Sequence, residues 1–209
     1  MKQVVIISAI ALTLSSAFIS PSYAQAVRPP AVNTENPAPR ERSDGYEVIS
    51  DQDWRDTDPD LPWSTPVIVR DDFNGDYLAV FDRNFVDRRR TEDGVISNWS
   101  RDYVRVFVYH KQRRCGAIPL FCDTRSTDTF EASQLQIKVG ERVLTLEGEN
   151  GNFPISDEVA SALASAPAGG ARIRISLEES GAAIVNDIGE ETVAAWRVVY
   201  GEGSRSAVR

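Results

Sequence analysis

The chain has 209 residues, 42% of them hydrophobic and 26% charged, with 23 Lys and Arg against 31 Asp and Glu and a formal net charge of −8. That is the length of one domain with extensions. The composition excludes wholesale disorder, collagen-like sequence and repeat polymers, and the negative charge excludes nucleic acid as a general partner, because phosphate neutralisation supplies most of that affinity. One His and two Cys also leave no material for a His-rich zinc cluster, a His–His acid–base pair or a bis-His haem site.

Lys2 precedes an apolar run from Val4 to Ile19 that only Ser and Thr interrupt, and Pro21 follows. Two small-residue cleavage patterns then overlap, Ser22-Tyr23-Ala24 and Ala24-Gln25-Ala26. This arrangement predicts a secretory signal peptide over residues 1–24, with cleavage after 24 or after 26. Its apolar run of 16 residues is shorter than the roughly 20 that span a bilayer. No later stretch reaches 12 consecutive apolar residues, so no transmembrane segment is expected once the signal is removed. The expected location is periplasmic or secreted. Residues 27–43 hold Pro29, Pro30, Pro37 and Pro39 without an apolar period and read as a flexible linker. Residues 44–201 read as a single β-rich globular domain, and 202–209 as a disordered tail.

Within 44–201 the dominant period is two. Val67 to Arg70 and Tyr77 to Phe81 flank Asn74-Gly75, a hairpin signal that predicts a type I′ turn. Tyr103 to His110 reads as a strand, with Val104, Val106, Val108 and His110 on one face and Tyr103, Arg105, Phe107 and Tyr109 on the other. Leu135, Ile137 and Val139 alternate with polar residues, as do Ile173, Ile175 and Leu177; Arg142 to Leu146 supplies a further strand. Ser156 caps a predicted helix carrying Asp157 and Glu158 in its first turn and ending at Pro167. Thr192 to Tyr200 reads as a closing strand with Trp196, Val198 and Tyr200 on one face. The fold class is therefore mainly β, an antiparallel β-sandwich or partly closed barrel with one short helix. The alternative is α+β, one sheet with the helix on one face.

Cys115 and Cys122 stand in a C-x6-C spacing, which in an oxidising compartment predicts a disulfide. A catalytic dithiol would use C-x-x-C, and zinc would need a fourth ligand. In the acidic stretch 51–60, Asp56, Asp58 and Asp60 alternate as calcium ligands could. Pro59 stands where a calcium loop wants glycine, so a solvated acidic loop is the competing reading and no cofactor is required. Asp72, Asn74 and Asp76 form a second incomplete pattern, better read as the hairpin turn.

Trp54, Trp63 and Trp99 could form an aromatic platform for sugar rings, against the commoner role of aromatics as core. Between Arg83 and Arg114 nine bases face four acids, whereas Asp44 to Asp60 holds seven acids and one base. Arg88, Arg89, Arg90, Arg113 and Arg114 are the candidate contacts to an anionic ligand, unless the basic segment merely faces the acidic one. His110 is the one imidazole for any triad, and no Gly-x-Ser-x-Gly elbow presents a nucleophile. The expected function is a non-enzymatic binding or structural module of the cell envelope or extracellular space, with an envelope protein or polysaccharide as partner. A small secreted hydrolase using carboxylates and His110, or a calcium-dependent or carbohydrate-binding module, is the alternative.

Overall fold

The β-prone segments pair as strands wherever their apolar residues find a buried face. In the computed structural model, which describes residues 41–51, 54, 60–73, 75–115 and 122–201, they form β1 (Arg42–Ser43), β2 (Tyr46–Ser50), β3 (Val67–Arg70), β4 (Tyr77–Arg88), β5 (Thr91–Ser100), β6 (Tyr103–Cys115), β7 (Cys122–Phe130), β8 (Ala132–Val139), β9 (Arg142–Glu147), β10 (Asn152–Pro154), β11 (Ala171–Leu177) and β12 (Ala183–Ile188). The helices are α1 (Asp157–Ala164) and α2 (Glu190–Val199). The expected signal peptide, most of the expected linker, the tail, Asp56, Asp58 and Asn74 lie outside the described residues.

The protein is mainly β, with two sheets stacked as a sandwich and not closed into a barrel. The larger sheet runs β1-β2-β3-β4-β5-β6, with β7 and β10 both paired to β6; the smaller runs β12-β11-β8-β9. Every pairing is antiparallel except β2 with β3, whose parallel register requires a crossover that residues 51–66 supply. Residues 42 and 43, at the end of the expected linker, pair with β2.

The larger sheet is buried on both faces along its middle. Ile68, Leu78, Val80, Val95, Trp99, Val104, Val106 and Val108 face the smaller sheet and the helices. Val67, Val69, Ala79, Phe81, Ile96 and Tyr109 point the other way, onto Trp54 and Leu61 of the crossover. The unbroken apolar run Leu78-Ala79-Val80-Phe81 follows from this double burial. The smaller sheet keeps the alternation of a half-covered sheet, with Leu135, Ile137, Ile173 and Ile175 inward.

Two connections differ from expectation. The β3–β4 link is longer than a type I′ turn: Asp71 closes it, accepting the Phe73 N–H on its side chain and the Gly75 N–H on its carbonyl, both at 2.9 Å. Residues 192–199 are helical, so there are two helices where one was expected. Thr192, Val193, Trp196 and Val199 bury at helical spacing. Glu190 and Glu191 complement the first turn of α2. Trp196 packs against Trp99 with the rings tilted by 47° and their centroids 4.6 Å apart. The predicted first helix is present, with Ser156 accepting the Val159 N–H.

Candidate functional site

Strand register decides where the arginines go. Arg88 pairs with Thr91 across the β4–β5 hairpin, leaving Arg89 and Arg90 in its turn. Thr91 pairs with Gln112 of β6, and Arg114 and Cys115 pair with Asp123 and Cys122 of β7. Arg88, Arg89, Arg90, Arg113 and Arg114 are thereby brought to one end of the larger sheet. A further cation joins them. The register slips between Gln112, opposite Ser126, and Arg113, opposite Thr124, which leaves Arg125 as the extra residue of a β-bulge. Arg90, Thr91, Gln112, Arg113, Arg114, Cys115 and Arg125 line a cleft of about 660 Å³.

The expected Cys115–Cys122 disulfide is formed. It closes the last rung of the β6–β7 ladder, and Cys115 Sγ rests 3.0 Å from the carbonyl oxygen of Arg89. The bridge thus abuts the β4–β5 turn that carries Arg89 and Arg90. Arg88 is paired with Asp93 at 2.6 Å, and Arg113 with Asp87 at 2.6 Å and with Glu92. Among the described residues, Arg89, Arg90, Arg114 and Arg125 form no salt bridge.

Behind this end, on the face turned away from the smaller sheet, sits a buried ionic node. Glu92 is 3% exposed. It receives Arg113, Arg83 at 3.2 Å and Lys111 at 3.6 Å, and accepts the Tyr109 hydroxyl at 2.8 Å. Burial pushes the Tyr109 phenol up to about 12, with the Glu92 contact acting in the same direction and the Arg83 contact opposing it. Gly94 lies opposite Tyr109 in register, and a Cβ there would stand 2.2 Å from the Tyr109 ring. Glycine at this position is what lets the ring lie across β5 and reach Glu92.

On the opposite face, His110 Nδ1 lies 2.6 Å from Asp93 Oδ1. That contact, with Arg88 adding to it, holds the Asp93 carboxyl below the usual carboxylate range. No Ser, Thr or Cys side chain among the described residues bonds to the other His110 nitrogen. Beside the pair, a groove of about 420 Å³ opens between the sheets, lined by Val86, Val95, Val108, Phe130, Ile184 and Val185 among others.

The remaining sequence candidates do not converge. Trp54 is 2% exposed and packs on the outer face of the larger sheet, 6.3 Å from Phe81, whereas Trp99 is fully buried between the sheets. Trp63 is half-buried, 6.0 Å from the Arg83 guanidinium. The three tryptophans therefore do not share a surface, because β4 and β5 separate two of them. Asp60 is exposed, and among the described residues no three His, Cys, Asp or Glu side chains gather as a metal site. Sequence reasoning missed Arg125, whose place depends on a bulge, and Glu92, whose partners come from the two strands flanking its own. No family model matches this sequence, no curated protein matches it, and no solved structure matches its fold.

Proposed function

We propose that this protein is an exported, non-enzymatic binding module that holds anionic groups of an envelope component at the arginine-rich end of its larger sheet. One observation supports the reading: Arg90, Arg114 and Arg125 converge around a cleft, with Arg89 in the adjoining turn, and none of the four forms a salt bridge among the described residues, beside a disulfide that staples β6 to β7. Guanidinium forks suit carboxylate, sulfate and phosphate groups, which they grip through paired N–H donors. A net negative protein with one uncompensated basic end also steers an anionic ligand to that end.

The test is retention of the full-length protein on an immobilised sulfated polysaccharide across a salt gradient. Replacing Arg89, Arg90, Arg114 and Arg125 by Gln together should lower affinity at least tenfold and flatten its salt dependence. Unchanged retention would overturn the proposal. Export rests on residues 1–24, and protein recovered from the envelope should have the mass of a chain lacking the first 24 or 26 residues.

The 2.6 Å contact between His110 and Asp93 favours a second reading, a small hydrolase. H110Q with its fold intact should leave ligand retention unchanged. Loss of an ester- or glycoside-cleaving activity in that variant would favour the hydrolase instead.

A further inference from the structure

The arginine cleft and the apolar groove share one face of the same strands. Along β6, Val108, His110, Gln112 and Arg114 alternate onto the face that looks toward the smaller sheet; along β5, Val95, Asp93 and Thr91 do the same. From the smaller sheet Ile184, Val185, Asn186 and Asp187 line the groove, and none of its residues lines the arginine cleft. Beyond them runs an uncovered track, apolar where it leaves the core and cationic at its tip. Val108 and Arg114 are six residues apart, about 20 Å at the rise of a strand.

Three large apolar side chains at the start of the track are left open to solvent: Val86 at 53%, Phe130 at 39% and Val185 at 55%. Exposed apolar residues gathered in one concavity mark a contact surface, unlike ones scattered singly. The acids along the track are largely committed elsewhere. Asp93 is held by His110 and Arg88, and Asp187 is bonded to Arg172 at 2.7 Å; Asp128 stands opposite His110 on the edge strand. At the far end Asp123 stands opposite Arg114, and Arg90, Arg114 and Arg125 together outnumber it.

We infer that the ligand is a single amphiphile, a lipid-like molecule with an apolar chain in the groove and a phosphate-type anionic head among Arg90, Arg114 and Arg125. The inference rests on the anionic-ligand reading above and names its class. The smaller sheet forms the second wall of the groove. That geometry admits one chain and keeps the flat surface of a bilayer away from Val108.

Calorimetric titration of the full-length protein tests this with three probes: dodecyl phosphate below its micellar concentration, inorganic phosphate, and dodecyl maltoside. Dodecyl phosphate should bind at least tenfold more tightly than either of the others, with circular dichroism unchanged. The double variant V86S/F130S should reduce dodecyl phosphate to the affinity of phosphate alone and keep its retention on the sulfated polysaccharide. R90Q/R114Q should weaken phosphate and dodecyl phosphate alike. Equal affinity for phosphate and dodecyl phosphate would overturn the amphiphile and leave the anionic site standing. Equal affinity for both dodecyl compounds, or no binding of any probe, would also overturn it. Retention on the polysaccharide reports separately on the anionic site itself.

Discussion

Glu92 is a carboxylate that the fold cannot easily lose. With Arg83, Lys111 and Arg113 around it, removing its charge leaves three cations facing one another in a poorly hydrated place. E92Q should cost roughly 3 kcal/mol of stability, the usual penalty for orphaning a buried ionic partner, read as a shift in the urea midpoint. Asp82 is the contrasting case. It is buried, and burial raises its pKa, while the Thr192 hydroxyl at 2.7 Å and the Gly189 N–H at 3.3 Å, both donating to the same Oδ1, pull it back. A carboxyl raised in the folded state contributes most below its unfolded pKa, and that contribution is lost as pH rises through the folded value. At pH 7, D82N, which keeps one accepting oxygen, should therefore match or exceed the wild type in Tm, and the wild type should gain on it as pH falls toward 4. D82A should lose about 1–3 kcal/mol, because Thr192 and Gly189 then lack an acceptor. Neither role was legible in the sequence. Asp82 and Glu92 sit in ordinary strand patterns, and only the pairing of distant segments reveals what each one faces.

At the scale of elements, β3, β4, β6, β8, β9 and β11 could be read because alternation or an apolar run reports burial directly, as Leu135, Ile137 and Val139 show, whereas β5, β7 and β12 could not. The last element could not, because Thr192 to Tyr200 satisfies two periods at once. Trp196, Val198 and Tyr200 suit a strand, whereas Thr192, Val193, Trp196 and Val199 suit a helix. Packing on Trp99 decides for the helix, and the two outcomes make opposite demands on adjacent residues. V198K should change stability by no more than about 0.5 kcal/mol, since Val198 is 39% exposed. V199A should cost roughly 2 kcal/mol, as a buried side-chain truncation does. Thermal melts of the pair separate the two readings. The disulfide was legible from cysteine spacing together with the export signal, but the hairpin it staples and its contact with the Arg89 carbonyl were not, since that contact needs the β4–β5 turn beside it. C115S/C122S should lose about 2–3 kcal/mol by the chain-entropy argument for a loop of this length. It should also weaken retention on the sulfated polysaccharide, because the ends of β6 and β7 that carry Arg114 and Arg125 are then no longer stapled to each other.

For the molecule as a whole, the sandwich was accessible from its pattern of short strands, but the second buried face of the larger sheet was not. An alternating strand announces one covered face; Leu78 to Phe81 announces two, and nothing nearby in sequence says what lies over the second. The cover is Trp54, inside the stretch 51–60 that the sequence presents as an acidic loop, and Leu61 just beyond it. Strands β3 through β7 succeed one another as neighbours, so they can zip up by local closure. The parallel partner β2 can only arrive together with its crossover. Amides of β2 should consequently gain protection from hydrogen exchange later than those of β5 and β6 in a pulse-labelled refolding experiment. Until they do, Val67, Val69, Phe81 and Ile96 stand bare on a sheet already formed. A newly made chain passes through that interval each time it folds, and the window in which it can stick to its neighbours, or be caught by a chaperone, closes when a single tryptophan swings into place.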